Sequence, residues 1–193
     1  MAPPRKHETD AILDAARGLV LAGGPRAASV AAIAKVSGAP VGTLYHRFGN
    51  RDGILAATWL RALDRSQSLA MSATADSPGQ AAVAMALSTV DFARGFPSDA
   101  RLLLTVRPED LLDAGGGDLD AAIVSRNAPL VARLRQLAGE LYGVDDRRSL
   151  DAMRRAVVDL PYAAVRRHVG DVPEWLAGDL AESVRALLAA HRQ

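Results

Sequence analysis

The acid–base groups of this 193-residue chain include four histidines and 22 carboxylates, and their spacing decides what they can do. His168 and His191 have no second histidine three or four residues away, as a helical metal site would require. Asp99, Glu109 and Asp110 share the middle of the chain with no base or nucleophile to pair with. The run Gly115-Gly116-Gly117 lacks both the G-x-x-x-x-G-K-[ST] spacing of a phosphate loop and a preceding strand, so it reads as a connector. A different chemistry is written in residues 29–55, SVAAIAKVSGAPVGTLYHRFGNRDGIL. Ser29 suits a helix N-cap, and Val30, Ile33 and Ala34 form one apolar stripe on a short helix. Gly38 can take the positive φ of a sharp turn, and Pro40 stands where a new helix opens. On that second helix Leu44 and Phe48 face inward, which leaves Val41, Gly42, Thr43, Tyr45, His46 and Arg47 outside. Two short helices about a glycine turn, the second with a polar outer face, describe a helix-turn-helix, whose second helix lies in the DNA major groove.

The surrounding elements are helical as well. Apolar residues recur with a helical period almost throughout, and no period-2 strand pattern is seen. A first helix is expected from about Glu8 to Leu21, ended by Gly23, Gly24 and Pro25. After the helix-turn-helix, a fourth helix starts near Arg51. Breaks at Ser77-Pro78-Gly79, Gly95-Phe96-Pro97, Pro108, 114–117 and Gly143 then separate longer helices, about nine in all. The last two cover roughly 147–169 and 173–191. Pro129 and Pro161 fall inside the two longest helices, where a missing N–H bends a helix and opens a gap; the alternative is that each merely starts or bends its helix.

Composition narrows the class. Cysteine is absent, which excludes disulfides and thiolate metal sites. Hydrophobic residues make up 49%, enough for a sizeable core, yet no apolar run reaches the length of a membrane span. The N-terminal MAPPRKHETD has no apolar stretch behind its basic residues, so a cytoplasmic protein with no membrane association is expected. Residues 1–51 carry seven basic side chains against three acidic ones, whereas the rest of the chain has a slight acidic excess. A basic end on an acidic body directs attraction for DNA to one region.

At residues 30–55 the sequence resembles the TetR family of transcriptional regulators. Val30, Ile33, Ala34, Gly38, Gly42, Thr43, Leu44, Tyr45, Phe48, Arg51 and Leu55 follow its order: an Ile-Ala on helix two, a glycine turn, a G-T-L-Y-x-x-F helix, and a basic residue opening helix four. Arg51-Asp52 stands where Lys-Glu is more usual. The resemblance spans about a quarter of the chain; downstream, the helices agree in number and order alone. It implies that Ser29, Thr43, Tyr45 and Arg51 meet phosphates, and that Val41, Gly42 and His46 approach base edges with Arg47 beside them. It also makes Arg5 and Lys6 an arm near the DNA.

The resulting expectation is an all-α protein, with a DNA-binding helix-turn-helix domain at 1–51 and a ligand-binding and dimerisation bundle at 52–193. It is a homodimer on a palindromic double-stranded operator, a repressor released by a small, largely hydrophobic effector, with no cofactor, no metal and no catalysis. Residues expected to line the effector pocket are Met85, Leu103, Arg107, Asn127 and Tyr162. Leu176, Leu180, Val184 and Leu187 are expected to form the dimer seam. The competing readings are a non-catalytic helical adaptor and a helical enzyme.

Overall fold

A computed structural model describes residues 5–112 and 117–191, with backbone alone for 5–7 and 117. The side chains of Arg5 and Lys6, and most of the glycine-rich connector, therefore lie outside the described residues. Among the described residues all regular structure is helical, in ten helices when the unbroken run 147–166 is counted once.

The chain divides into two units. The first comprises residues 1–63 and 101–123, the second 64–100 and 124–193. In the first, α1 (Arg5–Gly23) buries Ile12, Leu13, Ala16 and Val20, the stripe its periodicity marks. Gly24, at φ +75°, ends it, and Pro25–Ala27 makes a single 3₁₀ turn. Then come α2 (Val30–Ser37), α3 (Val41–Phe48) and α4 (Arg51–Ser72). The expected boundary at residue 51 does not coincide with the limit of this unit. Trp59 and Ala62 from α4, Leu102 from α6 (Pro97–Thr105) and Leu111 from α7 (Pro108–Leu111) share one core with Ile12, Ile33 and Leu44. The Trp59 indole N–H donates to the Val106 carbonyl at 3.4 Å, and Arg61 on α4 bridges Asp10 (2.9 Å) and Asp14 (2.6 Å) on α1.

In the second unit, α5 (Pro78–Gly95) is capped by Ser77, whose hydroxyl accepts from the Gln80 amide. It buries Ala81, Ala82, Val83, Met85, Ala86, Val90 and Phe92, and its many alanines let α11 (Leu176–Ala190) pack close. α8 (Gly117–Tyr142) contributes Leu134, Leu137 and Ala138. It runs unbroken through Pro129, which is exposed. Pro161 acts differently. Between α9 (Arg147–Arg154) and α10 (Leu160–Arg166) the helix widens to a π turn over Arg155–Asp159. Having no N–H, Pro161 cannot serve the Val157 carbonyl four residues back, and the Leu160 amide reaches back to Arg155 instead. No helix among the described residues is long and apolar enough to cross a membrane.

Candidate nucleic-acid interface

The helix-turn-helix forms as its residue types dictate. The Ser29 hydroxyl accepts from the Ala32 amide at 3.2 Å and caps α2, leaving its own hydrogen exposed for a further acceptor. Gly38 ends α2 in the left-handed region at φ +72°, its amide donating to the Ala34 carbonyl. The Ser37 hydroxyl accepts from the Ala39 amide at 3.3 Å and closes the turn. Pro40 caps α3 with extended backbone, so its missing N–H leaves nothing unsatisfied.

The eight residues of α3 then divide sharply. Leu44 is completely buried and Phe48 packs on the same core. On the other side Val41 is 45% and Tyr45 51% exposed, with Gly42 and His46 exposed beside them and Thr43 half-buried. At that exposure Tyr45 lies on the outer face, as its place in the helix predicts. Nothing lies within 4 Å of where a Cβ on Gly42 would stand, so this stretch of helix is open to the approach of another molecule. Thr9 of α1 joins Gly42, Thr43, His46 and Arg47 in lining an open cleft of about 580 Å³.

Two arginines are engaged within the chain. Arg47 turns back from α3 to α1, where it ion-pairs with Glu8 and donates to the Thr9 hydroxyl at 2.8 Å. The guanidinium of Arg51 is directed inward too: it donates to the carbonyls of Pro25 (2.6 Å) and Ala28 (3.2 Å) and pairs with Asp52 (3.0 Å). It thereby fastens the start of α4 to the turn before α2. Sequence reasoning overlooked Glu8 and Thr9, since no local signal links them to a residue 39 and 38 positions away. It also overlooked Asn50 and Gly53, although Asn is a common helix cap. The Asn50 side chain accepts from the Gly53 amide at 2.8 Å, and a Cβ on Gly53 would stand 2.0 Å from the Phe48 carbonyl oxygen.

The residues expected to bind an effector are scattered. Leu103 packs against the core of the first unit and the Arg107 side chain is 78% exposed. In the second unit Met85 is buried in α5, Asn127 accepts from Gln67 at 2.6 Å, and Tyr162 is 41% exposed. A cleft of about 540 Å³ in that unit has other walls, among them Val83, Leu87, Leu141, Leu188, Gln80 and Arg185.

The expected dimer seam needs correction. Leu176, Leu180 and Val184 are buried within the chain, on the side of α11 that packs in the second unit, so they have no surface left for a partner. Of the four, Leu187 alone is exposed, at 44%. The apolar stripe of a helix marks whatever it packs against, and here that is its own chain.

The candidate catalytic groups are engaged elsewhere. Asp99, 1% exposed, pairs with Arg65 at 2.6 Å, and that guanidinium lies over the Phe96 ring. His168 meets Trp175 edge-on, as His191 meets Tyr142. Among the described residues no group of three His, Cys, Asp or Glu side chains could hold a metal ion.

A capped short helix, a left-handed glycine turn and a half-exposed second helix define a helix-turn-helix regulator fold. Residues 12–58 match the sequence profile of the bacterial regulatory proteins of the tetR family. The fold as a whole is similar to a TetR-family transcriptional regulator from Streptomyces coelicolor, with a TM-score of 0.71 at 18% identity over 96% of this chain and 91% of that one. A transcriptional regulator from Rhodococcus sp. Rha1 aligns with a TM-score of 0.70 at 14% identity over 94% of each chain. The fatty acid degradation regulator of Bacillus halodurans aligns with a TM-score of 0.66 at 20% identity, over 93% of this chain and 96% of its own. No protein of curated function matches the chain by sequence. At these identities the structural matches establish the fold, and the profile match is confined to residues 12–58. Residues 12–58 are thus similar to the N-terminal domain of the tetR family, within a fold like that of its solved members.

Proposed function

We propose that the protein reads a palindromic DNA operator as a homodimer and acts as a repressor released by a small, largely hydrophobic effector. The carrying observation is the two-sided α3, with Leu44 wholly buried against Val41 at 45% and Tyr45 at 51% exposure. Exposed apolar and aromatic side chains on so short a helix bring no stability to the domain itself. They suit thymine methyls and the sugar–phosphate backbone. In this reading Val41, Gly42 and His46 meet base edges. Ser29, Thr43 and Tyr45 give hydroxyls to phosphates, and Arg47 and Arg51 hold the domain in shape.

Leu187 and Tyr162, exposed on α11 and α10, are apolar anchors for a second copy. The cleft walled by Val83, Leu87, Leu141 and Leu188 has the size and apolar lining of a small-molecule site, with Gln80 and Arg185 as polar fixers. Effector and operator then compete by population shift, each weakening the other by the same coupling free energy, typically ~1–3 kcal/mol.

The test is selection of bound duplexes from a random pool, followed by fluorescence anisotropy on the enriched and a scrambled sequence at several salt concentrations. The expected product is a two-fold symmetric sequence. Replacing Val41 or His46 by Ala should cost roughly 1–3 kcal/mol on it and spare the scrambled duplex. Enrichment of no sequence, with no duplex bound at low salt, would sink the proposal.

A further inference from the structure

We infer that Glu8 sets the specificity of DNA reading: its carboxylate holds Arg47 in an ion pair, so that α3 meets DNA without placing a guanidinium on a phosphate. The inference rests on the DNA-reading function proposed above and assigns a role to a residue of α1 within it. Arg47 is the one arginine of α3. One arm of its fork goes to the Glu8 carboxylate and the other to the Thr9 hydroxyl at 2.8 Å, and the side chain is only 21% exposed. Arg47 and its other partner Thr9 line the 580 Å³ cleft, with Thr43 and His46 beside them.

A phosphate entering that cleft finds a guanidinium whose charge is already matched by a carboxylate on its own chain. Carboxylate and phosphate oxygens are both charged acceptors for a guanidinium, so the Glu8 oxygen on Arg47 takes a contact that a phosphate oxygen would otherwise make. Each arginine freed onto a phosphate adds sequence-independent affinity and steepens the salt dependence by roughly 0.9 in log–log slope. Withholding Arg47 lowers binding to arbitrary DNA and leaves discrimination to Val41, Gly42 and His46. The segment 1–51 keeps an excess of basic side chains for general attraction.

The experiment is a double-mutant cycle on the full chain with Glu8→Gln, Arg47→Gln and both together, read by anisotropy on a scrambled duplex across salt concentrations. Glu8→Gln should raise affinity for the scrambled duplex several-fold at low salt and steepen the slope by about one unit. Arg47→Gln alone should leave the slope at its wild-type value, and the double variant should return to it. Glu8→Asp, which keeps the charge but shortens the reach, should also free Arg47 and steepen the slope. Melting curves establish that each variant is folded, and Glu8→Asp carries the test if Glu8→Gln is not. The inference is overturned if Arg47→Gln alone flattens the slope by about one unit, because Arg47 then already sits on a phosphate. It is overturned equally if the gain from Glu8→Gln persists in the double variant, because Glu8 then acts as a simple repulsive charge. Either result leaves the DNA-reading function standing, whereas a wild-type chain that binds no duplex removes both.

Discussion

The guanidinium of Arg51 donates to the carbonyl of Pro25 at 2.6 Å, tying the first residue of α4 to the turn that precedes α2. The same side chain serves Ala28 at 3.2 Å and pairs with Asp52, while remaining only 19% exposed. Its work is to hold the helix-turn-helix at a fixed angle to α4.

Arg51→Ala should therefore appear first as lost stability. The Ala28 carbonyl loses its side-chain donor, at about 1–3 kcal/mol where water cannot replace it, while the Pro25 carbonyl keeps the Ala28 amide at 3.1 Å. Arg51→Lys keeps the charge but not the fork, and should recover little. Thermal melting and the salt slope of DNA binding separate the roles: a lowered Tm with an unchanged slope marks the fastening. An unchanged Tm with a slope flattened by about one unit would show that Arg51 is a phosphate ligand instead.

Gly42 and Gly53, eleven positions apart, should respond oppositely to alanine. Gly42 has open space around its missing Cβ, so Gly42→Ala should stabilise α3 by up to about 1 kcal/mol. The same methyl would stand between helix and base edges and weaken operator binding. At Gly53 a Cβ would stand 2.0 Å from the Phe48 carbonyl oxygen, which belongs to backbone and cannot swing aside. Gly53→Ala should cost at least about 2 kcal/mol. Chemical denaturation alongside anisotropy checks both; a stabilised Gly42→Ala with full operator affinity would exclude close approach there.

On α11, Leu180 and Leu187 should also part company. Leu180 is 3% exposed and Leu187 44%. Leu180→Glu places an unpaired carboxylate in the core of the second unit and should cost on the order of 3–5 kcal/mol. Leu187→Glu should leave stability within about 0.5 kcal/mol while shifting a dimer toward monomer in light scattering. A fully dimeric Leu187→Glu protein would move the self-association surface away from this face.

Acid should act at the start of α9. The backbone N–H of Ser149 donates to the Asp146 carboxylate at 2.8 Å and its hydroxyl at 2.9 Å. These bonds hold the Asp146 carboxyl below the usual carboxylate range, with a smaller contribution from His191. Because the folded value is depressed, the stabilisation is present above the ordinary carboxylate pKa. It is lost as pH falls through the folded value. Asp146→Ala should thus melt below wild type at neutral pH, with the gap closing in acid. A gap independent of pH would mean that the carboxylate contributes no charge-dependent cap.

The sequence by itself determined the helices, the caps at Ser29 and Gly38 and the two-sidedness of α3. Each of these depends on neighbours within a few positions: a hydroxyl three residues before an amide, a glycine where φ must be positive, a leucine one turn from a phenylalanine. The tertiary structure decided what each face meets. The buried stripe of α11 could be read from its spacing, yet that spacing is the same whether the partner is α5 or a second chain. Arginine at 47 and 51 could be read as cations beside a DNA reader. Glu8, Thr9, Pro25 and Ala28, which engage them, lie 23 to 39 positions away, beyond the range of any local pattern. The limit of the first unit at residue 63 was likewise invisible, because Leu102 and Leu111 join its core from the far side of α5 in the chain. Local propensity fixes an element, but a long side chain or an apolar face takes its partner from whatever the fold brings within reach.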